Sequence, residues 1–205
     1  MKVDLRSDKP LDDATAWLET GHTAEEWFAR LDALGGPDLG RQVLGDHLRG
    51  DSALASWWID TLLVEYERAR GARETDGRAL GYTIEAVERI AASPRACYDA
   101  FATGAALDGW FGAGNEIDFR DGGAWANADG NRAVLRKLLP ARRIELTWHQ
   151  PDAAPNTPVD IHLVANGDAT DVKVLHERLQ TRAEADGLRH AWDTALGRLK
   201  ARLES

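Results

Sequence analysis

Residues 159–178 read Val-Asp-Ile-His-Leu-Val-Ala-Asn-Gly-Asp-Ala-Thr-Asp-Val-Lys-Val-Leu-His-Glu-Arg. Apolar and polar residues alternate on both sides of the Asn166-Gly167-Asp168 turn, as in two antiparallel strands that bury one face. Because strand side chains alternate between faces, Val172, Val174 and His176 share the buried face of the second strand. The segment therefore predicts a β-hairpin with strands over 159–165 and 170–178.

The residues around this hairpin extend the pattern. Downstream, residues 184–203 carry an apolar stripe at helical spacing. Upstream, Ser93-Pro94 is a helix start, with serine as the cap and proline in the first turn, and a second short helix carries Leu107. Alternation predicts further strands over 82–90, 115–120, 124–128, 132–139 and 143–149. Strands segregated from helices indicate an α+β fold, in which a curved antiparallel sheet wraps around the long C-terminal helix.

The first part of the chain has a different periodicity. Four short helices are predicted, and Thr23-Ala-Glu-Glu26 is a capping box for the second of them. Asp12 or Asp13 can cap the first, Asp38 the third, and Asp51 or Ser52 the fourth. A polar, glycine-rich stretch separates this part from the strands. The predicted organisation is a small all-α domain (1–72), a linker (73–81) and the α+β domain (82–205).

Composition excludes several classes of protein. Asp and Glu outnumber Lys and Arg by 34 to 25, which argues against a nucleic-acid partner because such binding depends on basic residues. No apolar stretch is long enough to cross a membrane, and no secretory signal is visible. The single cysteine, Cys97, excludes an intramolecular disulfide and a cysteine-based zinc site. We expect a cytoplasmic protein without a metal or other cofactor.

The α+β part resembles a known family. Its motifs, in chain order, are Ser93-Pro94, Leu107-Asp-Gly-Trp110-Phe111, Arg120-Asp-Gly-Gly123, Ile144-Glu-Leu-Thr-Trp148, Val172-Lys-Val-Leu-His176-Glu, and Trp192 followed by Leu196 and Leu199. Residues 82–204 thereby resemble the SRPBCC (START-like, helix-grip) superfamily, and within it the homologues of the activator of heat-shock protein 90 ATPase. The helical part resembles a small domain of unknown function that is fused ahead of such domains in bacteria. The resemblance implies a cavity between sheet and long helix, and no particular activity.

Six residues are candidates for contacting a ligand in that cavity. Ligand pockets are mostly apolar with a few polar groups, and the candidates follow this composition: Trp110, Phe111, Trp125, Trp148, His176 and Trp192. Each aromatic residue could equally serve as core packing, since burying a tryptophan removes about 150–250 Å² from water. His176 could bind a ligand, transfer protons, or be a buried histidine satisfied by protein groups.

Trp57 and Trp58 are the candidates for an interface. Adjacent helix positions lie about 100° apart, so both are buried only where a helix is covered over a wide arc. One would pack internally, and the other would contact the second domain or a second subunit, giving an interdomain contact or a homodimer. Alternatively, four short helices need two large anchors in their core.

Three functions remain open from the sequence. The first is a bacterial protein that binds a small, largely apolar molecule, favoured by the resemblance and by the absence of hydrolase, phosphate-loop and metalloprotease motifs. The second is a cyclase-like or other acid–base enzyme, with His176 as the proton-transfer group and a hydroxyl of Thr170, Thr147 or Tyr98 as its helper. The third is a stress- or chaperone-related interaction module, or a protein that sequesters a toxic metabolite.

Overall fold

The computed structural model describes residues 1–7, 12–50 and 54–205. The chain divides into two compact units. The helical unit comprises Ser7–Tyr82 with Gln180–Arg182, and the sheet unit comprises Met1–Arg6, Thr83–Leu179 and Ala183–Ser205. The predicted linker, 73–81, is therefore part of the helical unit, where Arg73 and Ala79 form an isolated β-bridge.

The helical unit contains four α-helices in its described part: α1 (Asp13–Thr20), α2 (Ala24–Leu34), α3 (Arg41–Gly50) and α4 (Ser56–Ala69). Its core includes Trp27, Leu31, Leu44, Leu48, Trp58 and Leu62. The capping box is present as predicted, since the Thr23 hydroxyl accepts from the Glu26 amide and the Glu26 carboxylate accepts from the Thr23 amide.

One predicted cap of the helical unit was wrong, and another prediction lies outside the described residues. Trp17 and Leu18 of α1 are 58% and 76% exposed, and the helix turns Ala16 inward. Asp38 does not cap α3, since it lies in a 3₁₀ turn (Gly36–Leu39) and α3 begins only at Arg41. The described part of α4 begins at Ser56, whereas the predicted caps Asp51 and Ser52 lie outside the described residues.

The sheet unit carries the predicted α+β architecture. Its strands are β1 (Tyr82–Ile90), β2 (Glu116–Ile117), β3 (Ala124–Ala126), β4 (Arg132–Leu139), β5 (Arg143–His149), β6 (Thr157–Asn166) and β7 (Ala169–Leu179); its helices are α5 (Pro94–Asp99), α6 (Gly104–Asp108) and α7 (Arg182–Leu203). The strand order is β1-β7-β6-β5-β4-β3-β2. Every pairing from β2 to β7 is antiparallel.

The sheet buries one face, as the alternation predicts. On β7, Val172, Val174 and His176 are all fully buried, whereas Glu177 is exposed. Trp192 and Leu196 on α7 are buried as well. The fold is therefore the helix-grip arrangement expected from the sequence. β2 is shorter than predicted, ending at Ile117 where 115–120 was expected.

The first six residues correct the predicted domain boundary, because they belong to the sheet unit and not to the helical one. The side-chain amide of Asn131 donates to the Met1 carbonyl at 2.6 Å, and Met1 is buried. The N-terminal segment also packs closely against α7 at Gly187. A Cβ atom added to this glycine would lie 2.3 Å from the Asp4 carbonyl oxygen. These contacts are long-range in sequence, so no local pattern reveals them.

Candidate functional site

Five of the six candidate residues form one aromatic cluster, which comprises Trp110, Phe111, Trp125, Trp148 and Trp192. Phe111 lies at its centre, with its ring centroid 5.3 Å, 4.6 Å, 5.8 Å and 5.6 Å from those of the other four in chain order. Each of the five side chains is at most 3% exposed. The structure thus brings together residues from the segment after α6, from β3, from β5 and from α7.

The ring nitrogens of the cluster have acceptors within the protein. Trp110 donates to the Ala100 carbonyl at 3.1 Å, and Trp125 donates to the Asn115 side chain at 2.9 Å. Trp148 makes a longer contact of 3.5 Å to the side-chain oxygen of Gln150. Satisfied indole groups at contact distance from other rings stabilise the cluster as a packed core.

His176 lies beside the cluster with both ring nitrogens engaged. Trp192 Nε1 lies 3.3 Å from His176 Nδ1, and Thr157 Oγ1 lies 2.8 Å from His176 Nε2. An indole nitrogen can only donate, so Nδ1 accepts and the hydrogen of the neutral ring is on Nε2. His176 therefore donates to Thr157, whose hydroxyl donates in turn to the Trp148 carbonyl at 3.3 Å.

Burial controls the charge of His176. The side chain is fully buried, and the lost hydration of the charged ring lowers its pKa from 6.5 to about 3. The ring is therefore neutral near pH 7. A neutral imidazole with both nitrogens bonded to protein groups is a structural link between α7, β7 and β6.

The hydroxyl that contacts His176 was missed from the sequence. Thr170, Thr147 and Tyr98 were the predicted helpers, yet Thr170 donates to the Ala92 carbonyl. The register pairs Val159 with His176, which makes Thr157 a diagonal neighbour two residues along β6. The sequence predicts that this strand begins at Val159. In the structure it begins two residues earlier, at Thr157, so the prediction left out the residue that contacts His176.

A pocket of about 510 Å³ lies at one end of the sheet, next to the cluster. It is lined by the N-terminal segment, by residues that precede β4 and by residues that follow β5, including Asn131 and Gln150. Two smaller pockets, of about 210 and 310 Å³, share Thr147 in their lining. None of these three pockets is lined by a side chain of the aromatic cluster or by His176.

Two other kinds of chemistry find no support in the described residues. Cys97 is buried, and this burial raises the pKa of its thiol, which disfavours the nucleophilic thiolate. No group of three His, Cys, Asp or Glu side chains suited to a metal ion occurs within residues 1–7, 12–50 and 54–205.

A family model described as Activator of Hsp90 ATPase homolog 1-like protein matches residues 91–204, more than half of the chain. The chain belongs to this family. The match lies in the sheet unit and includes all six candidate residues. It confirms the resemblance that the motifs indicated.

Solved structures share the fold of this family member. CalU16 from Micromonospora echinospora is 21% identical, with a TM-score of 0.54 over 59% of this chain and 75% of that one. The Aha1 dimer from Colwellia psychrerythraea is 22% identical, with a TM-score of 0.54 over 60% and 96% of the two chains. PFC0360w, an Hsp90 activator from Plasmodium falciparum, is 18% identical, with a TM-score of 0.53 over 60% and 97%. At these identities the likeness establishes the fold alone.

One further comparison and a search of the helices for membrane spans both give negative findings. No curated protein matches the chain. Among the helices of the described segments, none is both long and apolar enough to span a membrane.

The two interface candidates occupy different environments in the helical unit. Trp58 is buried in its core and donates from Nε1 to the Glu19 carboxylate at 2.9 Å. Trp57 is partly buried, and the Arg182 guanidinium lies 3.7 Å from the centroid of its ring. This distance is typical of a cation–π contact. Trp58 is therefore a core anchor, and of the two only Trp57 has a partly accessible ring.

Proposed function

We propose that the sheet unit binds a small, largely apolar molecule at the end of the aromatic cluster. The single observation that carries the proposal is the pocket of about 510 Å³ that adjoins Trp148 through Gln150. Its volume lies within the range of about 300–1,000 Å³ that is typical of small-molecule sites, and Val3, Leu5 and Pro151 provide its apolar surface. The family fold is consistent with this role.

The aromatic cluster does not line this pocket and adjoins it through the contact of Trp148 with Gln150. Trp110, Phe111, Trp125 and Trp192 hold Trp148 from the interior, and His176 connects the cluster to β7. We therefore propose that the six candidate residues support the ligand site from the core, with Trp148 nearest to it through Gln150.

Tryptophan fluorescence tests the proposal. The protein is titrated with aromatic polyketide-like compounds and with fatty acids, and emission is recorded after correction for absorbance. We expect saturable quenching by at least one compound, lost in Trp148→Phe and retained in Trp17→Phe, since Trp17 is exposed on α1. The absence of saturable binding to every compound, confirmed by calorimetry, would refute small-molecule binding.

An acid–base enzyme is less well supported. His176 has no ring nitrogen left for a substrate, because Trp192 and Thr157 occupy both. Its low pKa also keeps it from donating a proton near neutral pH.

The cytoplasm remains our proposed location for the protein.

Protein interaction through the helical unit is the second candidate. Trp17 and Leu18 are adjacent, strongly exposed apolar side chains on α1, and Trp57 remains partly accessible on α4. Exposed aromatic residues are favoured at protein interfaces. Light scattering after size exclusion tests self-association: we expect a dimer for the wild type and a monomer for the double variant Trp17→Ser/Leu18→Ser. A wild type that is monomeric at all concentrations would exclude the homodimer.

A further inference from the structure

The pocket next to the aromatic cluster contains two buried side-chain amides. Asn131 and Gln150 both line it, and they are only 4% and 2% exposed. The register pairs Arg132 with His149 at the end of the β4–β5 ladder. One step beyond that pair, Asn131 and Gln150 occupy opposite positions on the side of the sheet that buries Trp148.

The hydrogen bonds of these two amides are incomplete. Asn131 uses its nitrogen, Nδ2, to donate to the Met1 carbonyl, and Gln150 uses its oxygen, Oε1, to accept from Trp148. Within the described ranges, Asn131 Oδ1 and Gln150 Nε2 have no hydrogen-bond partner in the protein. One free acceptor and one free donor therefore line the same pocket. Because both residues line the pocket, a ligand there can complete the hydrogen bonding of both side chains.

The remaining walls define the rest of the ligand. Val3, Leu5 and Pro151 contribute apolar surface, while Lys2 and the two carboxylates of Asp129 and Asp152 contribute charge. The Asp129 carboxylate is already paired with the N-terminal ammonium of Met1 at 2.9 Å, so Lys2 and Asp152 leave one charge of each sign and the pocket favours a neutral ligand.

We propose that this pocket binds a neutral, largely apolar molecule through a cis-amide edge, such as that of a lactam. The ligand N–H donates to Asn131 Oδ1, the ligand carbonyl accepts from Gln150 Nε2, and the apolar part lies against Val3, Leu5 and Pro151. This assignment rests on the proposed small-molecule function and specifies the chemical class of its ligand. Side-chain amides that bind an amide edge reject analogues lacking one of the two groups.

Calorimetric titration with a matched pair of bicyclic compounds tests the assignment. The probes are 2-quinolinone, which offers both N–H and carbonyl, and N-methyl-2-quinolinone, which lacks the donor. We expect the wild type to bind 2-quinolinone about tenfold more tightly than the methylated compound, as for one buried hydrogen bond. Gln150→Met should weaken 2-quinolinone binding about tenfold, because it removes the donor and keeps the chain length. Gln42→Met, a matched change at an exposed position of α3, should bind like the wild type.

The outcomes separate this assignment from the proposed function. Equal affinity for the two quinolinones, or a Gln150→Met variant that binds like the wild type, would overturn the amide-edge assignment and leave apolar binding intact. Binding of fatty acids with no binding of either quinolinone would also overturn it. Absence of binding to every compound in both panels would overturn the proposed function itself. Circular dichroism of Gln150→Met checks that any loss of binding occurs in folded protein.

Discussion

Trp192 on α7 donates its indole hydrogen to His176 on β7, across a distance of 3.3 Å between Nε1 and Nδ1. This bond sets the tautomer of the histidine and joins the C-terminal helix to the sheet. Its second consequence is that His176 is a donor at Nε2, which connects β7 to Thr157 on β6. A residue that looked like a candidate catalyst is therefore a polar link in the core.

Removal of this link should destabilise the sheet unit. His176→Ala leaves Trp192 Nε1 and the Thr157 hydroxyl without their partner and opens a cavity, so we expect a loss of about 3–4 kcal/mol in the free energy of unfolding. Urea denaturation followed by fluorescence measures it. His162→Ala is the control, since His162 lies on β6 and pairs with Asp160 near the surface. Equal effects of the two substitutions would contradict the structural role of His176.

The titration of His176 should also appear in the pH dependence of the free energy of unfolding. In the folded protein His176 stays neutral down to a pKa of about 3, whereas the unfolded chain takes up the proton near 6.5. Protons therefore favour the unfolded state, and this contribution to stability is complete above pH 6.5 and decreases as the pH falls toward 3. Between pH 7 and pH 5 we expect a loss of about 2 kcal/mol from this group.

A variant isolates that contribution from other titrating groups. His176→Gln keeps hydrogen-bonding capacity and has no proton to gain, so its unfolding free energy should change less between pH 7 and pH 5 than that of the wild type. Denaturant titrations of both proteins at the two pH values give the difference. Parallel pH profiles would show that His176 is accessible to protons in the folded state.

The sheet unit could be predicted from the sequence because its interactions are periodic. The bounds of β1, β4 and β5 are as predicted, and the alternation is strict in β5, where Ile144, Leu146 and Trp148 are buried. Alternation also placed His176 on the buried face. The residues of the aromatic cluster could be predicted as buried for the same reason. Whether a ligand cavity remains beside them depends on how their rings pack. Ring packing is a three-dimensional property that no periodicity records.

The helical unit was predicted less well because its helices are short. A helix of two turns offers few positions from which to infer an apolar face, and in α1 it is Ala16 that faces inward while Trp17 is exposed. Asn131 and Gln150 were missed altogether. Each is a polar residue next to a turn, which locally indicates exposure, and only the N-terminal segment covering that end of the sheet buries them.

An ion pair between the partly exposed Arg41 and a buried carboxylate stabilises the helical unit. Glu67 on α4 is 4% exposed and accepts from Arg41 Nε at 2.9 and 3.1 Å, and Arg41 also donates to the Gly81 carbonyl. Arg41→Ala leaves a buried carboxylate unpaired, so we expect a loss of about 3–5 kcal/mol in the free energy of unfolding. Arg49→Ala is the matched control on α3, because Arg49 pairs with Asp46 at the surface and should leave stability unchanged. Thermal denaturation distinguishes the two, and equal melting temperatures would contradict the prediction.

Alanine substitutions at two glycines of α7 test whether the N-terminal segment depends on its contact with this helix. Gly187 has no room for a side chain, because its Cβ would lie 2.3 Å from the Asp4 carbonyl oxygen, whereas Gly197 has no atom within 4 Å of that position. Alanine favours helix over glycine by about 0.5–1 kcal/mol, so Gly197→Ala should stabilise the protein. Gly187→Ala should displace the segment.

Hydrogen exchange reports this displacement directly. We expect the amides of residues 2–6 to exchange faster in Gly187→Ala than in the wild type or in Gly197→Ala, with exchange in β6 and β7 unchanged. Because the segment forms one wall of the pocket through Val3 and Leu5, the same variant should also bind apolar compounds more weakly. Unchanged exchange at residues 2–6 would show that the contact with α7 contributes nothing to holding the segment in place.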